Sequence, residues 1–387
     1  MKAKIIFYCY LFLNLNILAE KGLDFFDYQK IKCGWMDLDN LDGVEEAAAE
    51  LIFKANLNLL WIRFNPELYF SKISERQNQT EKIFEIAKKI FDKLYMLCAK
   101  SKKEMPKIFL GTELTSNFGR IKPVTCVVDI FGRRFDKIPN PLDFDNYWKQ
   151  EFLDPFDKFM DMWNKVFDEK VQISGVFFDL EMYHAQNQAS MYSDKMDFSD
   201  FSWNLFWGQN LKIFVGRNLK TVAQRVNFLR KYKMFNSYYN FLQTQSKNIA
   251  EKIKKHVRKK LPKAKFAVYM VLINNNWFYK GFLQGLSEKN DPIILATFRN
   301  DYKSNTQFLA ENNIYVNYIG LILLGQLQKD RDFGLIAQTL RHYDGVWYNR
   351  FSWLPYLTKH KMPKDVWWKV ESSPLDPWVV AEKIGDA

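Results

Sequence analysis

Histidine is the first shortage: the 387 residues hold only four, His184, His256, His342 and His360. None of these pairs has the HxxxH spacing that sets two imidazoles on one helical face, and no GxSxG elbow is present. The usual carriers of zinc hydrolysis and of serine nucleophilic catalysis are therefore missing. Cysteine is nearly as sparse. Cys9 lies in an N-terminal leader, and Cys33, Cys98 and Cys126 are odd in number with no CxxC spacing. Neither a zinc site nor a disulfide framework is signalled, and buried free thiols are expected. No GxGxxG follows the first apolar run, which argues against a dinucleotide-binding sheet. No metal or organic cofactor is implied. No internal repeat or low-complexity linker divides the chain.

Long apolar runs are lacking as well. Only the N-terminus offers one: Lys2 and Lys4 precede an apolar stretch from Ile5 to Leu18, and Ala19 supplies a small residue for cleavage. Residues 1–19 thus read as a signal peptide, with a secreted or periplasmic destination, or a membrane tether if the leader stays uncleaved. No later segment reaches transmembrane length, so the body is expected to be soluble. The net charge of +12 is not spread evenly. Between Arg217 and Lys265 stand 15 Lys and Arg against the single acid Glu251, which leaves the rest of the chain at −2. Basicity is then a local feature, and specific nucleic-acid binding is not expected.

What the chain has in quantity is alternation. Near-continuous apolar runs at 31–37, 57–64, 107–113, 171–179, 265–273, 292–299, 315–324 and 345–349 read as strands covered on both faces. Helical periodicity marks 44–55, 81–100, 145–168 and 377–384. The pattern predicts an α/β fold, a (β/α)8 TIM barrel over residues 20–387 as one domain, with an open doubly wound sheet as the alternative. Two connections are long. The one at 111–147, after strand three, contains a hairpin-like 124–131. The one at 183–263, after strand four, contains an aromatic loop and two basic helical stretches. Such loops shape the carboxyl-end mouth of a barrel.

The most informative segment runs from Ser174 and Gly175 through Phe177 to Asp179, Leu180 and Glu181. A two-residue strand period puts Asp179 and Glu181 on one face, and two charges ending a buried strand belong at the mouth. Two close carboxylates resist joint ionisation, so one can hold a proton near neutral pH. Glu181 is the expected proton donor and Asp179 its assistant; a structural acid pair bound to Arg63 or Arg299 is the alternative. This segment resembles the strand-four signature DGxDxDxE of the glycoside hydrolase family 18 chitinases and their relatives. Gly175, Asp179 and Glu181 match, whereas Ser174 and Phe177 replace the first two acids. The resemblance implies a glycosidase barrel with Glu181 as catalytic acid and Asp179 as its partner. It extends to Asp344, Gly345, Val346 and Trp347, where the resemblance implies that Trp347 floors a sugar site.

Other schemes separate by strand. A strand-seven nucleophile finds no acid in 315–325. Asp179 as nucleophile with Asp301 as acid/base, as in alpha-galactosidase-like barrels, survives. Around the mouth, Trp35, Asp37, Arg63, Glu113, Tyr183, Asn275 and Trp277 are candidate substrate contacts, the rings as platforms for sugar faces. His184 could touch substrate. Residues 126–134 look like a cleft-edge loop. The basic stretch 247–265 places Ile249, Ile253 and Val257 on one helical face, which predicts a solvated amphipathic helix with weak contact to anionic surfaces as a minor alternative. The expected partner is an oligosaccharide or polysaccharide. The leading expectation is an exported glycosidase; a catalytically inactive carbohydrate-binding barrel and a basic attachment protein are the competing classes.

Overall fold

A computed structural model describes residues 31–54, 56–64, 74–113, 124–180, 195–209, 218–269, 276–297, 302–323 and 344–349. The leader, the helix expected at 377–384, and Glu181, Tyr183, His184, Asn275, Arg299 and Asp301 lie outside the described residues. Among those described, ten strands form. They are β1 (Ile31–Met36), β2 (Leu59–Phe64), β3 (Lys107–Glu113), β4 (Cys126–Val128), β5 (Arg134–Pro139), β6 (Ile173–Asp179), β7 (Lys265–Tyr269), β8 (Ile293–Thr297), β9 (Val316–Leu323) and β10 (Gly345–Asn349). β4 and β5 pair antiparallel as a separate hairpin. The other eight run parallel in the order β1-β10-β9-β8-β7-β6-β3-β2, and β1 pairs with β2 to close the sheet on itself.

Helices fill every crossover from β1 to β9: α1 (Glu45–Lys54), α2 (Ser74–Lys100), α3 (Asp154–Val166), α4 (Asp200–Gln209), α5 (Val222–Lys231), α6 (Phe235–Lys260), α7 (Trp277–Leu286) and α8 (Tyr302–Glu311). Two expectations need correction. The aromatic loop between β6 and the basic helices is in part α4, because Trp203, Phe206 and Trp207 recur at helical spacing and bury together. The helix expected over 145–168 is two pieces. A π-helical segment, Phe144–Leu153, starts on the Asp143 carboxylate, which accepts from the Asn146 N–H, and leads into α3.

Strand alternation sorts the core into two. Leu60, Ile62, Leu110, Val176, Phe178, Val268 and Leu295 face the helices. Cys33, Trp61, Phe109, Phe177, Ala267, Tyr269, Ala296, Ile319 and Trp347 fill the barrel. The interior is crowded with rings: Trp61 lies flat on Phe177 at 4.2 Å between centroids, and Trp347 meets both at 5.1 and 5.3 Å. Small neighbours make that possible. A Cβ on Gly111 would run into the Trp61 indole, so the glycine is the socket for the ring. Cys33, Cys98 and Cys126 are buried and free. Burial pushes the Cys33 thiol well above the usual thiol range.

The basic stretch is the amphipathic helix α6, with Ile249, Ile253 and Val257 buried as the period demands. Much of its charge is tied down. Lys260 pairs with Asp161 at 2.6 Å and His256 with Asp157 at 2.9 Å, both acids standing on α3. Lys254 reaches Glu288 at 2.6 Å and the Leu286 carbonyl at 2.9 Å. Arg258 and Lys265 both bind Asp291. Burial pushes the Asp291 carboxyl up, but the hydrogen bonds from Lys265 and Arg258 more than offset it and leave it below the usual carboxylate range. A depressed folded pKa contributes stability that is present above the unfolded value and lost as pH falls through the folded one. Asp291→Asn is therefore expected to cost roughly 1 kcal/mol at pH 7, solvent screening included. It should also flatten the fall in Tm below about pH 4. Parallel Tm–pH curves for the two proteins in scanning calorimetry would contradict this.

Candidate active site at the barrel mouth

All eight barrel strands run parallel, so their carboxyl ends share one rim. On β6 that end is Asp179, 2% exposed, where continuation of the Gly175–Phe177 alternation carries it. Its Cα stands in register with Glu113 on β3 and with Tyr269 on β7. The sequence reading paired Asp179 with Glu181 along one strand; the register adds Glu113 as a neighbour across the sheet. At the next strands, Arg63 ends near the top of β2 and donates to the Asp37 carboxylate at 3.0 Å. Asp37 directly follows β1, at 7% exposure. The acid held by Arg63 in this pairing is thus Asp37, at the exit of the first strand.

The residue between the two carboxylates is pinned from both sides. Leu180 donates its N–H to the Tyr269 carbonyl at 2.9 Å, and its own carbonyl accepts from Tyr279 Oη at 3.0 Å. Tyr279 is on α7, whose start is fixed by Asn276: its side chain accepts from the Tyr279 N–H at 3.1 Å. Leu180, the last described residue of this segment, is therefore held by β7 and α7 together. A single tyrosine inside a helix carries no sequence signal of that role.

Below the rim lie the rings proposed as platforms. Trp35 is half-buried and stacks on Trp61 at 5.3 Å. Trp347 is 2% exposed, edge-on to Tyr269 at 4.9 Å, and sits inside the barrel beneath the mouth. The indole N–H groups of Trp35, Trp61 and Trp347 have no acceptor among the described residues. At Trp277 the strand-end platform read from the sequence becomes a packed helix start. The ring is 5% exposed, and its N–H donates to the Met196 carbonyl at 2.8 Å, because Trp277 opens α7 and faces the 195–199 segment.

That segment carries a centre invisible in the sequence. Asp197 is fully buried, and its carboxylate accepts from Val128 N–H (2.8 Å), Ser199 N–H (3.0 Å), Ser199 Oγ (2.7 Å), Ser202 Oγ (2.5 Å) and Asn140 Nδ2 (2.5 Å). Burial pushes the carboxyl up, and these donors pull the other way. The clamp binds the β4–β5 hairpin to the chain that follows β6, so the segment read as a cleft-edge loop is held on the mouth side. A lone Asp between Met and Phe gave no hint, since its partners come from separate segments.

No family model matches the sequence, and no curated protein matches it. Solved structures overlap it loosely. The catalytic domain of a β-amylase from Paenibacillus polymyxa is 9% identical over 84% of this chain and 92% of its own, with a TM-score of 0.47. A β-galactosidase from Rahnella sp. R3 is 11% identical over 83% of this chain and 50% of its own, also at 0.47. A β-galactosidase from the psychrophilic Marinomonas ef1 is 10% identical over 71% of this chain, at 0.42, and the chain spans only 41% of that enzyme. Overlap of this extent carries no argument about activity.

Proposed function

We propose that the protein is an exported glycoside hydrolase on a complete (β/α)8 barrel, acting at the mouth with Glu181 as proton donor and Asp179 assisting. The observation that carries this is the position of Asp179: a carboxylate at the carboxyl end of a buried strand, level with Glu113, on the rim that also holds the Arg63–Asp37 pair two and three strands away. Charge collected at one end of an apolar barrel is costly unless it serves a ligand or a partner. With Phe177 packed among the interior rings, no second acid stands below Asp179 on β6, so a mechanism using the substrate's acetamide group has no support there.

Hydrolysis of a panel of oligosaccharides and nitrophenyl glycosides by the mature protein tests the reading. Glu181→Gln is expected to lower turnover at least a hundredfold, an order common to lost general acids. Turnover that survives the substitution would keep the enzyme and remove Glu181 from the role. The Glu113–Asp179 register favours one second reading. There the carboxylate pair of a retaining glycosidase is supplied by residues in register on adjacent strands. In that case Glu113→Gln, not Glu181→Gln, removes turnover. Asp179 with Asp301 is the remaining carboxylate pairing, read out by Asp301→Asn. Sugar binding without turnover in every form would identify an inactive carbohydrate-binding barrel.

A further inference from the structure

The β4–β5 hairpin displays more than the fold requires. Its turn is tightly built. Gly132 takes φ +86°, a backbone region that favours glycine, and backs onto Val222 of α5. Asp129, 4% exposed, accepts from the Phe131 N–H at 3.0 Å and the Arg133 N–H at 2.8 Å, while the Gly132 N–H donates to its carbonyl at 3.0 Å. Ile130 N–H donates to the Lys195 carbonyl at 2.8 Å and Phe198 N–H to the Val128 carbonyl at 2.9 Å. Together with the Asp197 clamp, these bonds fix the turn to the chain that follows the mouth carboxylates.

Held out by this frame is Phe131, 83% exposed, more than any other large apolar side chain among the described residues. Leaving a ring in water forgoes its favourable burial, and a rigid turn offers it no means of folding back. Arg133 stands beside it, 72% exposed. Its Nε is held by Asp129 at 3.2 Å and its guanidinium lies over the Phe135 ring at 4.6 Å. Both terminal nitrogens are left without a partner among the described residues. Arg134 is exposed too and paired with the exposed Asp136. A fixed aromatic face beside a fixed guanidinium fork suits a ligand with an apolar ring face and an anionic group.

The hairpin is bonded to the 195–198 chain, which follows β6 and packs on the start of α7, and so stands on the carboxyl-end face of the barrel. We propose that the 129–134 turn is a distal subsite for an acidic polysaccharide, with Phe131 stacked on a sugar ring and Arg133 paired with a carboxylate or sulfate. The proposal rests on the glycosidase reading of the mouth. Its charge requirement comes from the turn itself.

The test is affinity electrophoresis of wild type, Phe131→Ala and Arg133→Gln through gels containing polygalacturonate, dextran sulfate or neutral dextran, with phosphatidylglycerol vesicles assayed in parallel. Phe131→Ala is expected to melt with the wild type, and Arg133→Gln slightly below it, since Asp129 loses the guanidinium but keeps the Phe131 and Arg133 N–H donors. The expected result is retention on the acidic polymers that weakens at least tenfold in each variant, with little retention on dextran. Unchanged retention in Phe131→Ala overturns the subsite. Equal retention on dextran, or no effect of Arg133→Gln, overturns the acidic class. Vesicle binding through the same two residues without polymer binding assigns the turn to a lipid surface and overturns it as well. Turn-dependent polymer binding by a wild type that hydrolyses no glycoside supports the subsite and overturns only the mouth reading.

Discussion

Asp179→Asn is expected to lower turnover of any glycoside the protein cleaves by at least a hundredfold, about 2.7 kcal/mol of barrier. The substitution keeps the shape of the side chain and removes only its charge. In the proposed site that charge has two uses. It orients the reacting group, and it raises the proton affinity of the neighbouring acid, because two close carboxylates resist joint ionisation. Asparagine therefore also moves the alkaline limb of the kcat/KM profile to lower pH, since the donor then loses its proton more easily. A structural acid leaves a different trace. If Asp179 served only to hold the rim together, Asn would lower Tm while the pH profile of the remaining activity stayed in place. That combination would remove Asp179 from the chemistry.

Gly111→Ala is expected to have the largest effect on stability. The added methyl falls where the Trp61 indole lies, and Trp61 is itself sandwiched between Phe177 and Trp35. The ring can move only by displacing the buried Phe177 or the half-buried Trp35. Overpacking of a close-packed core costs up to about 3 kcal/mol, which for a chain of this length corresponds to a fall in Tm of roughly 4 °C. The control is Gly208→Ala on α4. Nothing lies within 4 Å of a Cβ there. Alanine at that position gains helix propensity of about 0.5–1 kcal/mol and is expected to be neutral or stabilising. Calorimetric melting of both variants decides the matter: Gly111→Ala melting with the wild type would mean that the barrel interior is not packed around Trp61 as described.

The architecture was legible because strands covered on both faces must be apolar throughout, a pattern that periodicity detects without knowing any partner. β3 and β10 fall on their expected residues, and among the described residues the other barrel strands lie within their expected ranges. α6 was legible for the same reason, its apolar positions repeating at the helical period. Elements defined by partners were not. The aromatic stretch of α4 has too little amphipathic contrast to announce a helix, because the apolar Phe201 and Leu205 stand half-buried between the buried Trp203, Phe206 and Trp207 and the exposed Asp200, Asn204 and Gly208. Trp277 looked like a strand-end platform until α7 turned it onto Met196.

The sequence by itself determined the alternation of strand and helix, the carboxylate at the end of the fourth barrel strand and the local origin of the positive charge. These are properties of neighbouring residues, and local pattern carries them. Only the tertiary structure decided that Glu113 is level with Asp179, that Arg63 holds Asp37, that Tyr279 pins Leu180, and that Asp197 gathers donors from separate segments. Each joins residues distant in the chain, and strand register and hydrogen-bond satisfaction become definite only when the sheet has closed.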